Sequence, residues 1–152
     1  MSVSWWYCSL NPNPKRNVRM TRIILNRIKC NNCKTTATSH WRHSLKLCLC
    51  GDVAADGGND YLRRIGNNYT ELSVDSDAPF EVVRESIYWG SRGKDGKQPM
   101  VWVVLAQMTD THLESLLEYH KRNNSQFSLH GVLQRYEKHY RIINNINSAR
   151  IN

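Results

Sequence analysis

Hydrophobic residues recur along this chain with two different spacings, and the spacing changes near residue 110. Before it the apolar stretches are short and β-branched. Thr21–Ile28 (TRIILNRI) reads as a strand, Thr70–Val74 alternates, and Phe80–Tyr88 alternates in part. Met100–Leu105 (MVWVVL) is continuously apolar, as a strand covered on both faces would be. Asp95-Gly96 lies between the last two and predicts a hairpin with a long basic loop, Trp89 to Lys97. Beyond residue 110 the period becomes helical. Leu113, Leu116, Leu117 and His120 form one stripe, with Thr111 and Glu114 as its capping box. A second stripe runs through Leu129, Val132, Leu133, Tyr136, Tyr140 and Ile143, with fraying expected from about Asn144.

Residues 1–19 lack either period. Asn11-Pro12-Asn13-Pro14 breaks regular structure, so a basic, aromatic tail carrying Trp5, Trp6 and Tyr7 is expected. Ordered patterning starts just after Met20, which makes Met20 an alternative start to Met1. The division expected is tail 1–19, cysteine module and connector 20–68, and strands plus a helical hairpin 69–152. At 152 residues the chain is long enough for one real core. No apolar run approaches about 18 residues, so no membrane partner is expected. No secretory signal is read at the start, where a charged region followed by an apolar one is missing.

Charge changes this picture. The net charge of +8 is concentrated in residues 1–50, which hold nine Lys/Arg and no acid, whereas residues 51–100 are net acidic. An acid-free stretch of that length suits phosphate contact, or else merely solubility. Arg22, Arg27, Lys29, Lys34, Trp41, Arg42 and Lys46, joined by Arg63 and Arg64, are the candidate nucleic-acid contacts. Cations would pair with phosphates and Trp41 would stack on a base. The bland alternative is solvated charge with Trp41 packed on its own module.

Four of the five cysteines fall in the pattern Cys30-x2-Cys33, fourteen residues, Cys48-x-Cys50-Gly51. Paired cysteines on two turns are what a tetrahedral Zn²⁺ requires, and the intervening KTTATSHWRHSLKL reads as a short hairpin, a zinc-ribbon-like arrangement. Four thiolates leave no position for water, so the ion is expected to be structural. Metal rather than disulfide implies a reducing compartment, and Cys8 is left over. His40 and His43 are further candidate ligands, or loop residues beside the basic patch.

The segment from Asp56 to Asn67 packs three glycines, two acids and an Arg pair, with a helical turn expected at Asp60–Ile65. It suits either a site or a plain turn. No phosphate loop, nucleophile elbow or H-E-x-x-H occurs. A nuclease built on Asp56, Asp60 and a histidine is the weakest reading, and His112, His130 and His139 are scattered.

Two strings resemble a known group. C-x2-C … H-x2-H … C-x-C-G-x-x-A-x-D-G-G-x-D-Y-L-R-R-x-G-N, and WGSRGKDGKQPMVWVVLAQMTDTHLESLLEY further on, are similar to small uncharacterised proteins of tailed bacteriophages, over about Ile28 to Tyr140. The resemblance implies a phage accessory protein in the host cytoplasm and supplies no activity; the tail before Met20 lies outside it. The expected fold is thus α+β: a zinc-ribbon-like four-cysteine module joined to a small antiparallel sheet covered by two C-terminal helices. The expected function is nucleic-acid binding through the basic module. The alternative is a protein partner, with the chain inhibiting or adapting a host factor of defence or transcription.

Overall fold

A computed structural model describes residues 21–146. The expected tail, Cys8 and the alternative start at Met20 therefore lie outside the described residues. β1 (Ile23–Cys30) is the spine: β-branched and apolar, it pairs antiparallel with β2 (Thr36–Ser39) on one side. On its other side lie β6 (Tyr69–Glu71) and β7 (Val74–Asp75). The predicted strand Thr70–Val74 is interrupted between them, where Ser73 Oγ accepts the Arg27 N–H at 3.1 Å. A sheet thus crosses the division expected at residue 68.

The second sheet orders β3 (Lys46–Leu47), β4 (Ala54–Asp56) and β5 (Arg63–Ile65). The cysteine finger is accordingly no hairpin: its first arm joins β1 and its second joins β4. Nor is Asp60–Ile65 helical. The turn closes earlier, with the N–H groups of Asp60 and Tyr61 both donating to the Gly57 carbonyl, and Asp56 pairs with Arg63 across β4 and β5. Ile28, Cys30, Ala37, Cys48, Val53 and Ala55 form a small core between the two sheets.

Phe80–Tyr88 departs most from expectation. Pro79 presets the backbone and α1 (Phe80–Arg84) follows, because Val83 and Ile87 bury together at helical spacing. The extended chain resumes only in β8 (Tyr88–Ser91), which among the described residues pairs with β9 (Val101–Val104) alone. Met100–Leu105 is therefore not a central strand: Met100 and Val101 are exposed, and Leu105 begins a 3-10 turn to Gln107.

α2 (Asp110–Arg122) is capped two residues before the expected Thr111, by Thr109 Oγ1 accepting from His112 N–H at 3.1 Å. It buries Leu113, Leu116 and His120 as its stripe predicts. α3 (Leu129–Ile143) does not follow its apolar stripe: Val132, Tyr136 and Ile143 are exposed while Gly131, Gln134, Glu137 and Arg141 are buried. Leu129 and Leu133 pack at the edge of a core made by Ile24, Val83, Ile87, Leu105, Met108, Leu113 and Leu116. Among the described residues no helix is long and apolar enough to cross a membrane.

Polar contacts at the turn of the helical hairpin carry a pH consequence. Burial, reinforced by the nearby His120, lowers His130 from an ordinary 6.5 to about 4. The unfolded chain then binds this proton at a higher pH than the folded chain does. Stability from this group is complete above about pH 6.5 and falls as pH drops toward 4, by up to about 3 kcal/mol. Urea midpoints measured across that range should decline, and His130→Gln should flatten the decline.

A candidate metal centre beside a cation and aromatic row

β1 runs straight into the first cysteine turn. Cys30 N–H donates to Thr35 O at 2.9 Å and Lys34 N–H to Cys30 O at 3.0 Å, folding residues 30–35 back on themselves. Lys34 takes the left-handed backbone (φ 64°) that closes the turn. The second turn repeats the device: Cys48 N–H donates to Val53 O at 2.9 Å, Gly51 N–H to Cys48 O at 3.1 Å, and Gly51 has φ 77°. Thr35 ties the turns together, its Oγ1 accepting Leu49 N–H while lying 3.0 Å from Cys33 Sγ.

The four sulfurs that result lie within 4.8 Å of one another, and all four thiols are free. Cys50 Sγ is 3.7 Å from that of Cys30 and 3.5 Å from that of Cys48. A tetrahedron with metal–sulfur bonds of about 2.3 Å has edges of about 3.8 Å, so the spacing fits one ion at the centre. Backbone N–H groups aim at the sulfurs, as Val53 N–H does at Cys48 Sγ (3.5 Å). Hydrogen bonds from Thr35, side chain before backbone, hold the Cys33 thiol down at about 5, and the Val53 N–H lowers that of Cys48. For Cys50 the largest influence, the Asp52 N–H, is downward, yet burial and the neighbouring thiols push it up to about 11. Crowded thiols cannot all ionise without a cation, and a divalent ion removes that repulsion.

His40 and His43 are not part of this cluster. His43 Nδ1 meets Tyr61 Oη at 3.1 Å, and His40 stacks on Trp102 (centroids 4.3 Å, planes 9° apart). That stack belongs to a longer row. Arg27 lies over the Tyr88 ring (5.8 Å), Tyr88 is edge-on to His40 (5.2 Å), Trp102 stacks on Trp41 (5.6 Å), and Lys46 Nζ stands over Trp41 (5.6 Å). Burial, then the charges of Arg27 and Lys46, lower the His40 pKa. Trp41 remains 51% exposed.

The remaining candidates divide between the surface and the interior. Arg22 and Arg42 join Trp41 along an open cleft of about 630 Å³. Lys29 is exposed on β1 between Thr36 and Thr70, and Lys34 and Arg63 are exposed as well. Arg64 points inward instead, bonded to Glu71 (2.7 and 2.9 Å), Asn26 Oδ1 (2.8 Å) and Ser73 Oγ (3.0 Å). Asp56 is likewise a builder of its loop, accepting Gly57 N–H at 2.8 Å and Tyr61 Oη at 3.3 Å. Asn26 Nδ2 braces the same loop through three carbonyls, those of Asp56, Gly58 and Tyr61. Asp60 is exposed and lines the cleft, away from these contacts.

The sequence reading missed Tyr88 and Trp102 as members of the row. Both face the same side of the β8–β9 hairpin, and Gly90, opposite Trp102, leaves no Cβ to collide with its indole. The alternation Trp102-x-Val104 facing Tyr88-x-Gly90 was the available signal.

Among the described residues, fold and site together define antiparallel sheets and three α-helices with a four-cysteine cluster that could bind a metal ion. Residues 22–66 match a domain of unknown function (DUF7695), a span that opens just before β1 and closes just after β5, so it takes in all four cysteines. No curated protein and no solved structure matches the chain.

Proposed function

We propose that the chain is a nucleic-acid-binding protein whose basic face is held in shape by a structural zinc ion. Four thiolates favour Zn²⁺ among common divalent ions and leave no open position for catalysis, and the two turns bridged by a finger of chain are of zinc-ribbon kind. The observation that carries the binding reading is the row Arg27–Tyr88–His40–Trp102–Trp41–Lys46, flanked by Arg22 and Arg42, with Lys29 two residues from Arg27 along β1. A run of flat rings with a cation at each end suits a single strand, whose bases stack on rings while its phosphates pair with cations. The resemblance to phage proteins would set this activity in an infected host cell.

Fluorescence anisotropy with a short labelled single strand tests the reading. Log affinity should fall linearly with log salt, with a slope near −0.7 for each cation engaged. Trp41→Ala should weaken binding by about 5- to 100-fold, and Lys29→Ala should make the slope about 0.7 shallower. Salt-insensitive binding, or none, would sink it. One observation favours a protein partner instead: Leu45, Leu47, Leu49 and Ile65 are exposed around the cysteine turns, Leu49 at 86%. A partner recovered at high salt and lost on Leu49→Asp would support that reading, in which the chain acts as an inhibitor or adaptor.

A further inference from the structure

A second groove lies away from the metal centre, between the β8–β9 hairpin loop and the first turns of α2. It encloses about 720 Å³, within the size range of small-molecule sites. Trp89, Leu116 and Tyr119 supply its apolar wall, with Trp89 and Tyr119 edge to face at 6.1 Å. Arg92 and Lys94 supply its charge. Neither makes an ion pair among the described residues, and no carboxylate lines the groove.

The loop that carries these cations is shaped by its own hydrogen bonds. Gln98 N–H donates to Arg92 O at 3.0 Å, Gly93 N–H to Ser91 Oγ at 3.3 Å, and Lys97 N–H to Asp95 Oδ1 at 3.0 Å. Gly93 takes φ 74° within it. Across the groove stand Thr109, Thr111 and Ser115, the last with its hydroxyl donating to the Thr111 carbonyl at 2.9 Å. Thr109 Oγ1 accepts the His112 N–H, which leaves its own proton free to donate.

Two unpaired cations facing hydroxyls, above an aromatic wall, match a ligand with an anionic group joined to a flat ring. We propose that this groove binds a nucleoside phosphate, with the base against Trp89 and Tyr119 and the phosphate between Arg92, Lys94 and the hydroxyls of Thr109 and Thr111. A free nucleotide and the phosphorylated end of a strand share that chemistry. The site is separate from the aromatic row, and its claim does not depend on that row binding anything.

Titration of the full metal-loaded chain with AMP, read by calorimetry and tryptophan fluorescence, tests it. AMP should bind, adenosine should bind more weakly, and added salt should weaken AMP more than adenosine. The double variant Arg92→Ala/Lys94→Ala, confined to the exposed loop, should keep its melting temperature. It should lose at least about tenfold in AMP affinity with adenosine unchanged. Tyr119→Ala should weaken AMP and adenosine alike, and Trp41→Ala should change neither. A 5′-phosphorylated oligonucleotide binding tighter than AMP would identify a strand end, and the reverse order a free nucleotide; both support the site. No AMP binding at about 1 mM, or binding that the double variant leaves intact, would overturn it.

Discussion

Cys48→Ser is expected to unfold the cysteine module, and chelation of the metal should do the same to the native chain. Cys48 is buried, its N–H is bonded to Val53 O, and its sulfur receives the Val53 N–H. Around it the core consists of Ile28, Ala37, Val53 and Ala55 besides the cysteines themselves, with half-buried Tyr69 at its edge, too little apolar volume to hold the two sheets together. Structural zinc contributes roughly 10–16 kcal/mol in small modules, so its loss exceeds what so small a core supplies. Elemental analysis should find one zinc per chain, and circular dichroism should follow the loss of β structure on chelation.

The pH dependence follows from competition for the same sulfurs. Protons must leave the thiols before the ion binds, so the unfolded, metal-free chain carries more protons and stability rises with pH. Among the four, Cys50 is pushed upward without metal and has the most proton to release on binding, whereas the hydrogen bonds from Thr35 hold Cys33 down and it releases less. A fixed chelator concentration should therefore unfold the module more readily at pH 6 than at pH 8. A chain that stays fully folded without metal would refute the structural role.

Glu137→Ala should cost about 3–5 kcal/mol, a large effect for a single change outside the metal centre. Glu137 is completely buried and binds two guanidiniums, Arg84 (2.6 and 2.8 Å) and Arg141 (2.7 Å). Its hydrogen bonds raise the Arg84 pKa. Removing it strands Arg141, which is also buried and reaches the carbonyls of Met108 (2.8 Å) and Leu105 (3.1 Å). Arg141 also pairs with Asp110 (2.8 Å), but that carboxylate is half exposed and offsets little of the buried charge. Urea unfolding measures the loss, and a cost below about 1 kcal/mol would contradict the buried triad. The triple replacement Arg84→Met/Glu137→Leu/Arg141→Met should recover much of it, because no buried charge is then left uncompensated and the carboxylates that lose a partner, Asp110 and Glu85, are exposed.

This network also explains why α3 departs from the stripe its sequence predicts. Its sequence offers an apolar stripe through Tyr136, Tyr140 and Ile143, but the helix turns Gln134, Glu137 and Arg141 inward. Buried polar groups bonded to partners from α1, α2 and the 3-10 turn outweigh an apolar stripe, and those partners are invisible in α3 alone. Tyr136 and Tyr140 then pack on Phe80 (4.4 and 5.2 Å), at the flank of the helix.

Phe80–Tyr88 departs from its expected strand for a different reason. Alternation and helical spacing are nearly indistinguishable over nine residues, and the pairing of Val83 with Ile87 in the core decided between them. Arg64 looked like its neighbour Arg63, yet only Arg63 is exposed, pairing with Asp56 from the surface (3.7 Å) while Arg64 turns inward, because neighbouring residues of a strand face opposite sides.

By itself the sequence determined what depends on local chemistry: the cysteine spacing, β1, the basic hairpin loop and the existence of both long helices. Ligand pairs sit on tight turns, and turns are set by a few adjacent residues. The tertiary structure alone decided which arm of the cysteine finger joined which sheet and which face of α3 was buried. It also decided that Tyr88 and Trp102 would line up with His40 and Trp41. Those outcomes rest on contacts between segments far apart in the chain, where the energy belongs to the pair and neither partner carries it alone.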